Sequence, residues 1–211
     1  MDDCDDAAAD GAPVDETPAC MDGLTVEGCR RCPDLVDSRN RIVDGDGPVD
    51  AALLFVGEAP GAREDEGGEP FVGRSGDVLD TALREAGIDR ADVRITNCVR
   101  CRPPDNRDPR VGELANCRPY LVAEIRAVNP DLVVALGKVP AEHLLEREVA
   151  VTGEAGDVLA CDIGGSTRRV MVSVHPAATL YDPGQEGTFR AAMRAAADHV
   201  GSGGQSTLGD F

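Results

Sequence analysis

The chain is predicted to fold as a three-layer α/β/α sandwich around a central, mostly parallel four-stranded sheet. Three observations carry this. Strand-like and helix-like segments alternate after residue 50. The strand-like runs are almost continuously apolar, as strands buried on both faces are. Each run ends in a loop rich in Gly, Pro or polar residues, where open α/β sheets place their ligand crevice. In order, Ala52–Val56 reads as the first strand and Gly76–Ala86 as a helix closed by Gly87. Val93–Thr96 follows as a strand, then Val111–Val128 as a long amphipathic helix stopped before Pro130. Leu132–Leu136 is a strand ended by Gly137, and Ala141–Arg147 a short helix. Val158–Ile163 is a candidate edge strand, Val170–Val174 the fourth core strand and Thr188–Val200 the closing helix.

The length of 211 residues suits one globular body, residues 23–200, between two tails. Residues 1–22 are rich in Asp, Ala, Gly and Pro and are expected to be a disordered acidic tail. Residues 201–211 form a Gly/Ser linker followed by a short terminal peptide. Repeats are absent, as is any apolar run of membrane-spanning length. The acidic start Met1-Asp2-Asp3-Cys4 lacks the basic and apolar regions of a signal peptide, so a cytoplasmic protein is expected. With 39 acidic residues against 21 basic, the formal net charge is −18, and Lys138 is the only lysine. Such a surface argues against broad phosphate binding. It equally fits a salt-adapted protein, as from a halophilic archaeon, whose self-repulsion concentrated salt screens. A nucleic-acid substrate therefore stays open, and local arginines decide it.

Eight cysteines are many for an intracellular chain. Cys29-Arg30-Arg31-Cys32 and Cys98-Val99-Arg100-Cys101 are C-x-x-C pairs, and Cys117 follows in the long helix. Four thiolates from this set suit structural zinc or an iron–sulfur cluster, and spacing leaves the two open. Cys4, Cys20 and Cys161 read as unliganded thiols.

Polar groups gather at the strand ends. After the first strand come Gly57, Glu58, Ala59, Glu64, Asp65 and Phe71; the second ends in Thr96-Asn97, with Arg100 and Arg102 beyond; after the fourth comes His175-Pro176. An Asn amide both donates and accepts in plane, as the edge of an extruded base requires, and a Phe ring stacks on its face. A neutral His can donate to an oxygen gaining negative charge. Each also has a structural alternative: Asn97 capping a turn, His175 buried in the frame, Phe71 in the core, Glu64 and Asp65 as solvated charges.

Taken in order, Gly57-Glu58-Ala59-Pro60-Gly61, Glu64-Asp65, Pro70-Phe71-Val72-Gly73-Arg74-Ser75-Gly76, Thr96-Asn97-Cys98-Val99-Arg100-Cys101-Arg102-Pro103-Pro104, Cys117-Arg118-Pro119-Tyr120-Leu121, Leu136-Gly137 and His175-Pro176-Ala177 resemble the family 4, iron–sulfur uracil-DNA glycosylases over roughly residues 24–200. The resemblance implies the uracil-DNA glycosylase fold and excision of uracil from double- and single-stranded DNA, leaving an abasic site. It also implies a [4Fe–4S] cluster on Cys29, Cys32, Cys101 and Cys117 that holds loops in place. Phe71 would stack on the extruded uracil, Asn97 read its polar edge, and His175 stabilise the departing anion. Glu64 would stand where a thymine methyl would clash, while Gly57, Glu58 and Ala59 would line the pocket near the attacking water. Leu180 would wedge into the vacated stack.

The chain departs from related patterns at several positions. Ala59 replaces the aspartate that the best-studied glycosylase family uses near the water, so the expected mechanism rests on stabilising the leaving group. Ala177 and Tyr181 stand where the family often has Ser and Arg. Gln205-x-x-Leu208-x-x-Phe211 resembles a peptide that docks repair proteins on the sliding clamp PCNA. A monomer is expected. The competing class is a non-catalytic cluster- or zinc-bearing protein that binds a nucleotide or nucleic acid.

Overall fold

The computed structural model describes residues 24–201. The expected acidic tail and the clamp peptide with Gln205, Leu208 and Phe211 lie outside the described residues. Pro33–Ser38 forms α1, Leu53–Gly57 β1, Ala62–Gly67 α2 and Arg74–Glu85 α3. Arg94–Asn97 is β2, Val111–Val128 α4, Leu132–Leu136 β3 and Lys138–Leu145 α5. The last elements are β4 (Val158–Asp162), β5 (Thr167–Ser173), α6 (Ala178–Tyr181) and α7 (Glu186–Gly201).

The sheet has five strands in the order β2-β1-β3-β5-β4, not the expected four. The β1–β2, β1–β3 and β3–β5 pairs are parallel, and the added edge strand β4 runs antiparallel to β5. β4 is at most half-buried: Val158 packs on one core and Leu159 and Cys161 on the other, while Ala160 and Asp162 are exposed. That pattern carries a weaker apolar signal than the fully buried strands.

Alternation along the apolar strands builds two cores. Leu53 and Phe55 of β1, Leu132, Val134 and Leu136 of β3, and Met171 of β5 face Leu79 and Leu83 of α3 and Phe189 and Met193 of α7. Leu54, Val56, Val133, Ala135, Val170 and Val172 face Leu121 and Ile125 of α4 and Ala141 and Leu144 of α5. The three-layer sandwich follows.

Two features position the loops. First, buried Arg94 and Arg100 share buried Glu124 of α4, at 2.8 Å each, and Arg100 also reaches Asp44 at 2.7 Å. These ions are mutually satisfied, the only condition under which such charges are tolerated inside. Second, residues 38–47 strap across the loops at the strand ends. Val43 donates its N–H to the Arg100 carbonyl at 2.7 Å, Ser38 donates its hydroxyl to the Arg102 carbonyl at 3.1 Å, and Asp46 pairs with Ile95. Asn40 binds Asp65 through its backbone N–H at 2.9 Å and its side-chain amide at 2.6 Å.

Candidate active site

β1 has β2 on one side and β3 on the other, so connections diverge at its carboxyl end, where such sheets open a crevice. A cavity of about 600 Å³ lies there, and Ala59, Glu64, Phe71, Asn97, His175 and Leu180 line it. Residues from the loops after β1 and β5, the end of β2 and α6 therefore meet in one space. Gly57 and Glu58 are not among the lining residues. Gly57 lies directly beneath, where a Cβ would collide with Asn97 Oδ1 and come within 2.6 and 2.7 Å of the Phe71 ring. Only a glycine lets both side chains sit there.

Phe71 is buried in the α3/α7 core and also forms cavity wall. Its backbone has φ 56°, uncommon for a bulky residue, and the turn closes over Gly76, where any Cβ would strike the Phe71 carbonyl. Strain of this kind costs about 1–3 kcal/mol and persists where surroundings over-determine the conformation. The Phe71 and His175 ring centres are 5.7 Å apart, tilted by 35°.

Asn97 is 3% exposed, yet among the described residues its side-chain amide has no hydrogen-bond partner. Capping a turn is thereby excluded for that amide within those residues. Glu64, 8% exposed, points between Gly61 and Gly73 and likewise accepts no hydrogen bond from the described residues. The fully buried side-chain atoms without a partner among the described residues are Thr96 Oγ1, His143 Nε2 and Arg168 Nε, so the unpaired Asn97 amide and Glu64 carboxylate keep accessible surface, and both border the cavity. Asp65 next door behaves oppositely: it is fully buried and saturated by Asn40 and the Arg41 N–H. The two neighbours project about 100° apart on α2, so one faces the cavity and the other the strap.

His175 accepts a hydrogen bond from the Ala177 N–H at Nδ1, 3.1 Å. The neutral ring then carries its proton on Nε2. Burial lowers its pKa to about 4, so the ring is neutral at physiological pH. Glu58 shows the reverse: burial, and secondarily the Asp108 charge, raise its pKa to about 7.

A family model described as the uracil DNA glycosylase superfamily matches residues 45–198. The type-4 uracil-DNA glycosylase of Pyrobaculum aerophilum is 41% identical over 169 residues, covering 78% of this chain and 86% of the relative. Those of Thermotoga maritima and Archaeoglobus fulgidus are also 41% identical, over 76% and 75% of this chain and 82% and 81% of theirs. The chain belongs to the type-4 uracil-DNA glycosylase family.

The superfamily match begins downstream of Cys29 and Cys32, so the thiol region of this type-4 chain has to be judged on its own contacts. Cys29 and Cys32 precede α1, Cys101 follows β2, and Cys117 lies in α4. Cys29 is near enough to raise the pKa of Cys32, Cys101 and Cys117 by charge, although burial is the larger cause for each. Two sulfurs receive donors: Arg39 reaches Cys101 Sγ at 2.8 Å and Asn116 reaches Cys32 Sγ at 3.4 Å. Donors aimed at sulfur favour the thiolate, the form that binds metal. Among the described residues, no three Cys, His, Asp or Glu side chains close into a ready single-ion site. Four neighbouring thiols from three chain segments nonetheless fit a sulfur-ligated group. Cys98 is set apart, 1% exposed among the apolar residues of the α4/α5 face.

The sequence of this type-4 family member assigns no role to Arg63 and Ser75 on one wall or to Tyr181 at the lip, whereas Asn106 lies in the polar turn 105–109 that follows the second strand among the candidate groups. Asn106 follows Asp105 in the left-handed region, with φ 54° and 55°, and the Asp-Asn pair was the readable signal.

Proposed function

We propose that this chain excises uracil from double- and single-stranded DNA, extruding the nucleotide and hydrolysing its N-glycosidic bond to leave an abasic site. The observation that carries the reading is a buried, unpartnered amide beside an aromatic wall and a neutral histidine in one cavity, within a chain of this family. The cavity volume suits one extruded nucleotide. Phe71 stacks on uracil, and Asn97 pairs with its polar edge. Glu64 stands against the C5 edge, where a thymine methyl would clash. His175 donates from Nε2 to the carbonyl oxygen as uracil leaves as an anion. A neutral donor can do this without first losing the proton, and one such donor contributes about 3–4 kcal/mol. Ala59 on the cavity wall, with Gly57 and Glu58 next to it in the chain but outside the lining, is assigned the side from which water then attacks the sugar. Leu180 enters the stack from α6.

Cys29, Cys32, Cys101 and Cys117 are the residues we assign to hold a [4Fe–4S] cluster, which would supply a structural cross-link between α1, the loop after β2 and α4. The strap then orders the loops: residues 38–47 tie that region to Arg100, Arg102 and Asp65. We further read the acidic composition as salt adaptation in a halophilic archaeon and the chain as a cytoplasmic monomer. Residues 1–22 are read as a tail and 23–200 as the catalytic domain. Gln205, Leu208 and Phe211 of the 201–211 tail are read as a peptide that docks on PCNA.

The test is uracil release from U:G, U:A and single-stranded oligonucleotides by the purified, brown protein. Asn97→Ala and His175→Ala should each lower the single-turnover rate about 10²–10³-fold. Tight binding without release would point to a non-catalytic base-binding protein. Colourless protein with stoichiometric zinc would remove the cluster assignment alone.

A further inference from the structure

The cavity has an uneven wall. On the α6 side stand Ala177, Leu180 and the 85%-exposed Tyr181, with no cation among them. The opposite side carries Arg63 on α2 and Arg74 at the start of α3, the only arginines among the described residues that line the cavity. Arg74 and Leu180 also line a second cavity of about 460 Å³ between α3, α6 and α7, so they form the ridge between the two.

Both arginines are exposed, and among the described residues neither makes an ion pair or a side-chain hydrogen bond. The chain holds 39 acidic residues and 21 basic ones, so acids to pair with are plentiful. Exposed Arg30, Arg41, Arg84 and Arg194 also lack a side-chain partner among the described residues, while Arg107 pairs with Glu113, Arg147 with Glu154 and Arg190 with Glu85 and Glu186, so what sets Arg63 and Arg74 apart is their place on the cavity wall. Acids lie within helical reach of the two free ones, Glu66 three residues after Arg63 and Asp77 three after Arg74, yet the pairs do not form. A net charge of −18 repels DNA at long range, so binding has to be won by cations at the point of contact.

We propose that Arg63 and Arg74 form a phosphate clamp that grips the backbone beside the extruded nucleotide, along the α2–α3 wall. The inference rests on the reading of the cavity as the seat of a flipped base. Arg74 on the ridge holds a phosphate between the two cavities, and Arg63 holds a neighbouring one nearer Glu64. The strand therefore lies across the α2–α3 side, while Leu180 and Tyr181 approach the base stack from the other.

Binding is measured by fluorescence anisotropy on a duplex with one 2′-fluorinated deoxyuridine, which resists cleavage. The salt range is one over which circular dichroism and the visible spectrum stay constant. Arg63→Gln and Arg74→Gln should each reduce the slope of log affinity against log salt by about 0.9, and the double variant by about twice that. Each single loss amounts to about a threefold weaker salt response over a fourfold change in salt. Lysine at either position should restore the slope, and Arg84→Gln, on the far part of α3, should leave it unchanged. The enzyme concentration for half-saturation in single-turnover assays should rise for Arg63→Gln and Arg74→Gln and stay unchanged for Arg84→Gln. An unchanged slope in the folded double variant overturns the clamp, as does an equal loss in Arg84→Gln, even though uracil release persists. If the unsubstituted chain releases no uracil, the reading of the cavity itself fails.

Discussion

His175 and Glu58 show how placement sets chemistry one residue at a time. Both are pushed toward neutrality by burial, but in opposite directions on the pH scale: His175 to about 4 and Glu58 to about 7. A histidine that stays neutral above about pH 5 imposes no inflection on the rate between pH 5.5 and 8.5, whereas Glu58 titrates inside that window. The rate of uracil release should rise with an inflection near 7 if the Glu58 carboxylate assists water, and Glu58→Gln should flatten the profile. Their effects on stability also oppose. The unfolded chain holds more protons on His175 between about pH 4 and 6.5, so that contribution grows as pH rises through the window. The folded chain holds more on Glu58 between about 4.5 and 7, so that contribution is present below the window and declines as pH rises. Urea titrations of Glu58→Gln and the parent across pH 4.5–7 check the sign. A rate inflection that survives the substitution would remove Glu58 from the water step.

At the scale of elements, the site depends on close approach between a strand end and two loops. Gly57 closes β1 and admits Asn97 and Phe71 over its α-carbon. Gly57→Ala should therefore lower the uracil-release rate by at least tenfold while the melting temperature moves by only a few degrees. The rate and melting curve of one preparation decide this, and a fully active variant would show that the close approach is dispensable. Glu124 of α4 plays the corresponding part in the frame, with Arg94 and Arg100 both on its carboxylate. Removing it strands two buried cations, so Glu124→Ala should cost about 3–5 kcal/mol in urea unfolding. Much of this level was legible beforehand. Val111–Val128 and Leu132–Leu136 match their expected bounds, because apolar periodicity and stop signals at Asn129-Pro130 and Gly137 agree there. The short helix α2 looks like loop in the sequence, because Gly, Pro and charge mask the short helical stretch that aims Glu64 and Asp65 apart.

For the whole molecule, charge is the dominant global property. A net charge of −18 should penalise the compact state until salt screens it, since the Debye length falls from about 10 Å at 0.1 M to about 3 Å at 1 M. The melting temperature should rise steadily between 0.1 and 2 M sodium chloride. A flat or falling curve would mean that the acidic surface is not a source of self-repulsion. The buried Arg94–Glu124–Arg100 group should be insensitive to the same salt, being shielded from bulk ions.

The amino-acid sequence alone determined the alternation of strands and helices, the two apolar faces of each strand, the kinship and the cysteine pattern. These are local or ordered along the chain, and hydrophobic period and motif order record them directly. Tertiary structure alone decided which polar groups share a space. Phe71, Asn97 and His175 come from three separate crossings of the sheet and meet because parallel strands end on the same side. It also decided that Glu64 opens to the cavity while Asp65 is bound to the strap, and that Arg63 and Arg74 stay free among so many acids. Contact between distant residues is fixed by packing, for which periodicity along the chain has no signal.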